Sequence, residues 1–408
     1  MRTQKFLVAG AAALALTLSA CAPNAAAPAP APGTAGSTGG AAAPADTTPV
    51  KVDIIYSKTG PLAAYGETFY EGFQAGLDHA TDGTGEVNGR KLEITYTDDA
   101  GNPDKAVAAA KDAIGNGTKI IGGTVVSGVA LKLAEQAEQN KVLYISGPAA
   151  TDAVTGINKY TFRSGRQSLQ DVATAANGIP DGAKVTVFAQ NNAFGQGNVA
   201  AVKAVLGAKG AQVSEVLVPE DVTEFTPFAR QLVDAKPDLV FVAWAGATSG
   251  AMWQAVAQQG VLDSTTVSTG LGDKATYGAY GAASDKITFL NHYFPGAAGN
   301  DVEKAMIEKV EAAGGTPDLF TPDGFVAAQM IVRAVAEGGG DDVDAMIAAL
   351  EGWEFEGPKG KTQVRASDHA LIQNMYQVKL VKDGESWKPE LINTVDAATA
   401  APAEKPIG

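Results

Sequence analysis

The chain has 408 residues, 47 of them glycine, and a formal net charge of -14. That charge repels phosphate and excludes nucleic acid as a partner, while a single cysteine, Cys21, excludes an internal disulfide and a cysteine-rich metal centre. Sparse aromatics and abundant glycine suit a body with many strand-to-helix turns.

Residues 1–20 read as a secretory signal: Arg2 and Lys5, a short apolar run over 6–18, then small residues. The run is too short for a convincing membrane span. The segment ends in "LSAC" (18–21), which resembles the bacterial lipobox, in which the cysteine is lipidated and becomes the mature N-terminus. The resemblance implies an anchor at Cys21 that holds the protein on the outer face of the cell membrane, or in a periplasm, without spanning the bilayer. The alternative is a plain signal with an incidental cysteine. Residues 21–49 are almost wholly Ala, Pro, Gly, Ser and Thr, which bury too little apolar surface to order a chain and predict an extended tether.

From Val50 the pattern alternates strand and helix. The run "VKVDIIY" (50–56) predicts a strand and is followed by "SKTGPLAAYG" (57–66), a Gly-Pro turn that ends in an aromatic beside a glycine. Phe69, Phe73 and Leu77 predict a helix over 68–79. A strand at "KLEITYTDD", a helix over 103–114 with Pro103 in its first turn, "TKIIGG", a helix over 129–139 and "KVLYIS" continue the alternation. A second run begins near Gln167: a helix over 169–176, "KVTVFAQ", a helix over 198–206, "AQVSEVLV", a helix over 225–235, "DLVFVAWAG" and a helix over 251–259. Residues 302–350 read as helical, and "TQVRA" and "NMYQVKLV" as extended. Short apolar strands alternating with helices predict an α/β fold with two parallel sheets, each covered on both faces.

Ligands of open α/β sheets bind beyond the carboxyl ends of the strands. Five glycine-rich polar stretches fall there: "SKTGPLAAYG", "GGTVVSG", "SGPAATD", "QNNAFGQG" and "WAGATSG". Ser127 precedes a predicted helix, so it is either an N-cap or part of an anion site at the helix start. Thr151 is either a turn threonine or, with Ser127, half of a small-carboxylate clamp. Tyr65 and Phe194 fall in predicted loops, where each is either exposed packing or ligand contact. Trp244 reads as core, and Asp273 as a solvated or capping carboxylate or the partner of a ligand ammonium.

Enzyme signatures are thin. No phosphate loop, dinucleotide fingerprint or nucleophile elbow occurs. His79, His292 and His369 are far apart and lack metal-ligand spacing, and the adjacent Asp368 and His369 have no nominated nucleophile. Neither an enzyme nor a cofactor or metal is expected.

Four stretches, "SKTGPLAAYG", "IIGGTVVSGVALKLAEQAEQNKVLYISGPAATD", "YTFRSG" with Gln170 downstream, and "NAFGQG", together with the late "RASDHALIQNMYQVKLV", resemble the Leu/Ile/Val-binding family of ABC-importer binding proteins, the type I solute-binding proteins. The resemblance implies two Rossmann-like lobes joined by three crossovers: 50–165 with 295–369, and 166–294 with 370–394, leaving 395–408 as a tail. It implies a monomer that captures a small carboxylate by hinge closure and delivers it to a permease and ATPase. Tyr65, Ser127, Ala149, Thr151 and Phe194 fall on ligand-contacting positions. Ala247 falls near an aromatic position of founding members, and the ammonium-pairing glutamate aligns with Gly272, one residue before Asp273. Phe325 completes the candidate set. Phe194 replaces a frequent tyrosine. A branched-chain or other aliphatic amino acid is the expected ligand. The alternatives are an organic or aromatic acid, a sensory lipoprotein of the same fold, and last a secreted α/β hydrolase.

Overall fold

All but Lys51 of the seven residues Val50–Tyr56 are buried in strand β1, as a strand covered on both faces requires. The structure is a computed structural model that describes residues 46–176 and 179–408. The signal segment, Cys21 and the tether up to residue 45 lie outside the described residues. After β1 come α1 (Ala63–Ala80), β2 (Glu86–Val87), β3 (Arg90–Asp98), α2 (Pro103–Gly115), β4 (Ile120–Gly122), α3 (Ser127–Asn140), β5 (Leu143–Ser146) and β6 (Thr161–Arg163). Their strands form a sheet in the order β2-β3-β1-β4-β5-β6, parallel except for the β2/β3 pair.

The second run gives α4 (Ser168–Ala175), β7 (Lys184–Gln190), α5 (Ala193–Val205), β8 (Gln212–Val218), α6 (Thr226–Ala235) and β9 (Leu239–Ala243). It continues with α7 (Ser249–Gln258), α8 (Val261–Ser264), β10 (Thr266–Gly270), α9 (Tyr277–Tyr280) and β11 (Ile287–Asn291). Three helices follow: α10 (Asp301–Ala312), α11 (Thr321–Gly338) and α12 (Val343–Leu350). Strands β12 (Glu354–Gly357), β13 (Gly360–Val364) and β14 (Leu371–Ile372) then form a small antiparallel sheet. Finally β15 (Met375–Asp383) and β16 (Ser386–Val395) join the second sheet antiparallel, and α13 (Ala397–Ala400) ends the regular structure. The second sheet runs β16-β15-β11-β10-β9-β7-β8. The architecture is the α/β pair of parallel-sheet lobes that the alternating pattern predicts.

Strand order reverses at β1 in the first sheet, which lies between β3 and β4, and at β7 in the second, between β8 and β9. Connections leave such neighbours in opposite directions and open a crevice at their carboxyl ends. Helices α10 and α11 return to the first half and pack on α1. A Cβ on Gly72 would lie 1.9 Å from the Thr321 carbonyl oxygen, and one on Gly324 1.9 Å from that of Phe69, so only glycine permits this approach.

Three predicted boundaries shift. Helix α1 starts at Ala63, so Tyr65 and Gly66 are helical rather than in a loop. Helix α5 starts at Ala193, because the Asn192 side chain accepts the Gly195 N–H at 3.0 Å and caps it, which makes Phe194 helical too. The run over 302–350 is three helices, broken where Gly314, Gly339 and Gly340 adopt positive φ. The residues called a tail are held in place: Lys405 N donates to Asp368 Oδ2 at 3.1 Å and Arg365 Nη1 to the Pro402 carbonyl at 2.8 Å.

Asp53 on β1 is buried, and its carboxylate accepts the Thr97 hydroxyl at 2.9 Å. Burial raises its pKa to about 6, against the lowering effect of that hydrogen bond. The folded state therefore holds a proton that the unfolded chain has released, and stability from this group falls as pH rises from about 4 to about 6. Asp53→Asn is expected to raise the melting temperature at pH 7 and to flatten that part of the pH profile; thermal melts across the range check it, and an unchanged slope refutes it.

Candidate functional site

A cavity of about 450 Å³ lies beyond the carboxyl ends of the strands of both sheets. Pro61, Leu62 and Tyr65 reach it after β1, Val125 to Gly128 after β4, and Pro148 and Ala150 after β5. From the second sheet come Gln190 and Asn192 to Phe194 after β7, and Trp244 and Ala245 after β9. All five glycine-rich exits of the sequence meet there.

One buried carboxylate ties the exits of the first sheet together. Asp99 accepts from Ser57 Oγ (2.6 Å), Gly101 N (2.7 Å) and the Thr124 hydroxyl. The Gly-Pro turn then sends α1 back across the strand, and a Cβ on Gly66 would lie 1.9 Å from the Ser57 carbonyl oxygen. Glycine therefore lets α1 begin close enough to β1 to place Tyr65 in the cavity wall.

The loop after β5 is held from behind. The carbonyls of Pro148, Ala149, Ala150 and Thr151 accept from Arg166 Nη1 (2.7 Å), Arg163 Nη2 (2.5 Å), Ser168 N (2.8 Å) and Arg163 Nη1 (3.2 Å), respectively. Across a planar trans peptide the next N–H points opposite to the carbonyl. The Ala150 N–H is thus turned away from Arg163, takes no protein acceptor among the described residues, and belongs to a residue that lines the cavity. Beside it, α3 starts with the N–H groups of Ser127 and Gly128, which have no partner within the helix. A small anion fits such a start.

The nominated residues separate into two groups. Tyr65, Ser127, Phe194 and Gly272 line the cavity. Ala149, Thr151, Ala247, Asp273 and Phe325 do not. Ser127 is not the N-cap expected of it: Val126 precedes the helix, and the Ser127 Oγ instead accepts the Thr151 N–H at 3.3 Å. Thr151 sits behind Ser127, its hydroxyl accepting the Ala153 N–H. Ala149 is fully buried under the loop. Ala247 is exposed, because Gly246 at φ +84° turns the chain away after Ala245. Asp273 is buried, its carboxylate accepts the Thr276 N–H at 3.2 Å, and burial raises its pKa. Phe325 lies in the α1–α11 seam, tilted on His79 at 5.1 Å.

Among the wall residues that sequence reasoning missed are Arg166, Asp171, Trp244 and His292. Trp244, read as core, packs on Phe188 and Phe225 and also lines the cavity. His292 is hydrogen-bonded to Asp323 (2.5 Å) and to Lys359 (3.0 Å). Burial, then the charges of Lys359 and Arg166, hold His292 well below its usual pKa, so the ring is neutral. Burial also brings Asp323 up to about 7 and Lys359 down to about 7. The other two histidines are structural: His369 stacks on Phe162 at 3.7 Å, and Asp368 pairs with Arg365 rather than with it. Among the described residues no group of His, Cys, Asp and Glu is arranged to hold a metal, and no helix is long and apolar enough to cross a membrane.

Two parallel-sheet lobes enclosing a ligand-sized cavity define a bilobal binding protein. The profile described as periplasmic binding protein matches residues 49–385, and the chain belongs to that family, the substrate-binding proteins of ABC transporters. Among curated relatives it is similar to Leu/Ile/Val-binding protein homolog 3 of Brucella melitensis, 26% identical over 76% of this chain and 83% of that protein. Among solved structures it resembles an ABC-type branched-chain amino acid transporter protein of Rhodopseudomonas palustris, with 33% identity, a TM-score of 0.72, and coverage of 86% of this chain and 97% of that one. It also resembles a solute-binding protein from the same species in complex with 3,4-dihydroxy benzoic acid, with 26% identity, a TM-score of 0.74, and coverage of 86% and 98%.

The two halves touch across the cleft. A Cβ on Gly246 would lie 2.8 Å from the Pro61 carbonyl oxygen and 2.9 Å from the Leu62 side chain, and its φ of +84° disfavours any other residue. Gly246→Ala is expected to strain the turn, lowering the melting temperature of the ligand-free protein modestly, and to obstruct this contact, weakening ligand binding by about tenfold or more. Calorimetric titration beside a melt checks it; unaltered affinity would show that the Pro61–Gly246 approach is not required for capture.

Proposed function

We propose that this chain is the extracytoplasmic substrate-binding component of an ABC importer, that it captures a small carboxylate with an apolar body, and that it acts by binding without catalysis. The observation that carries this reading is the cavity itself: one wall offers Ser127, the start of α3 and the Ala150 N–H, and the facing wall offers Phe194 and Trp244. A carboxylate would sit on the donors and an apolar body on the aromatics. The ligand then bridges two lobes, 50–165 with 295–369 and 166–294 with 370–394, and its greater affinity for the closed state drives closure about the three crossings. Transport energy would come from the partner ATPase. A signal peptide over residues 1–20 and lipidation of Cys21 would place the protein on the outer membrane face, with 21–49 as tether.

Two ligand classes share this chemistry. The branched-chain amino acid reading is supported by the names of the relatives from Brucella melitensis and Rhodopseudomonas palustris. The aromatic acid reading is supported by the complex with 3,4-dihydroxy benzoic acid.

A thermal-shift panel of aliphatic and aromatic amino acids and their amine-free counterparts, on full-length protein partly unfolded and refolded to release bound ligand, tests the reading. Saturation at a hundred times the dissociation constant adds about 2.7 kcal/mol, a visible shift. Ser127→Ala is expected to weaken binding of any carboxylate that shifts the wild type by about tenfold, through loss of one buried donor. A panel in which none of these carboxylates stabilises the protein refutes carboxylate capture. For the tether, Cys21→Ala is expected to abolish incorporation of an alkyne-tagged fatty acid and to release the protein from membranes; retention with labelling at another residue refutes it.

A further inference from the structure

We infer that Arg166 is the residue that binds the ligand carboxylate, and that the site is built for a carboxylate carrying no ammonium group. This rests on the carboxylate-capture reading above and narrows it to one substrate class.

Arg166 is 9% exposed, and it lines the cavity. Its guanidinium is held on three sides. Nη1 donates to the Pro148 carbonyl at 2.7 Å, the Nε edge lies 3.3 Å from Asp171 Oδ2, and the plane sits over the Phe320 ring with its central carbon 5.2 Å from the centroid. Nε is sealed in the wall without a hydrogen bond, whereas Nη2 takes no protein acceptor among the described residues and is not sealed. The accessible part of this buried cation is thus a free donor on the cavity side. A guanidinium fixed by a carbonyl, a carboxylate and a ring is pre-organised for an incoming carboxylate, and little side-chain entropy is left to lose.

The same wall offers an ammonium nothing comparable. Two acids line the cavity, Asp171 and Glu220. Asp171 Oδ2 faces Arg166, and its Oδ1 is sealed away from the cavity without a partner. Glu220 is exposed at the rim and accepts the Asn192 amide at 2.7 Å. Asp273 stands outside the wall with its carboxylate on the Thr276 N–H. An ammonium would lose its water and meet only the Asp171 Oδ2 that already faces the Arg166 guanidinium, a cost that an amine-free acid avoids. The ligand class is therefore a monocarboxylate with an apolar aryl or branched-alkyl body.

The test is calorimetric titration of the full-length protein in mild detergent, stripped of ligand by unfolding and refolding, with 4-methylpentanoate, leucine, benzoate and the neutral benzamide. The wild type is expected to bind at least one of the two amine-free acids, with leucine roughly 100-fold weaker than 4-methylpentanoate, as befits an unpaired buried charge. Arg166→Gln is expected to weaken the bound acid roughly 10- to 100-fold while benzamide, if bound, changes by less than about threefold. A general loosening of the site would weaken both alike, and that result overturns the role of Arg166. Arg166→Lys keeps the charge without the fork and is expected to fall between; if Arg166→Gln does not fold, this variant and the wild-type comparison of leucine with 4-methylpentanoate decide. Leucine binding as tightly as 4-methylpentanoate overturns the amine-free assignment and leaves carboxylate capture standing. Failure of every carboxylate to bind overturns both.

Discussion

A guanidinium buried away from any ion-pair partner must be satisfied by neutral oxygens, and the site depends on how Arg163 meets that demand. Its side chain is 1% exposed, and among the described residues no carboxylate lies in ion-pair contact with it. It donates to the carbonyls of Ala149, Thr151 and Arg166 and to the Thr155 hydroxyl. Burial lowers its pKa to about 10, so it remains charged at neutral pH. Leaving such a charge unpaired would cost several kcal/mol, which makes the carbonyl fan obligatory. Because those carbonyls must face inward, the Ala150 N–H must face outward. The same fan holds the backbone of Arg166 where its side chain can enter the cavity wall. Cleft chemistry on this side follows from a structural arginine three residues away.

The second half contributes surfaces rather than charges. Phe194 and Trp244 approach from the exits of β7 and β9, and Gln190 fixes the latter by accepting the Ala245 N–H at 3.1 Å. Away from the His292 cluster and Arg166, contacts between the halves include backbone and small groups: Pro61 on Gly246, Thr151 beside Gly197, and the Lys274 N–H on Asp318 at 2.9 Å. Such contacts bury little apolar area and contribute little by themselves. A ligand that touches donors on one side and aromatic rings on the other can therefore decide whether the cleft stays shut.

The fold was legible because apolar strand runs and glycine-rich exits are local features, and the topology of alternating strands and helices brings such exits to one edge. The site was legible only where a residue's position along its own element determined its direction. Tyr65 and Phe194 follow strands whose exits must face the cleft, and Asn192 carries a capping signal that places Phe194 in a first turn. The rest depended on partners far away in the chain. In "YTFRSGRQ" two arginines stand three residues apart, and nothing local says which will be spent on carbonyls and which will keep a donor for the cavity. Thr151 was expected to contact ligand, but it does not line the cavity, whereas its partner Ser127 does. Its N–H serves Ser127 instead, so its part is to position a hydroxyl rather than to offer one. Asp273 looked free because the sequence does not show that the Thr276 N–H will occupy it.

His292, Asp323 and Lys359 extend this argument to the base of the cleft. They come from the end of β11, from α11 and from the β12–β13 turn, so the cluster joins the second sheet to the elements that pack on α1. Three ionisable groups buried together avoid the full cost of desolvation by shifting toward their neutral forms, and burial does move all three that way. Asp323 and Lys359 both shift to about 7, so the charges they carry there offset one another, and neither residue lines the cavity. The cation that keeps a donor at the cavity surface is then Arg166, held in place by Pro148, Asp171 and Phe320. Selectivity by charge in this cleft thus follows from which buried groups have already found partners.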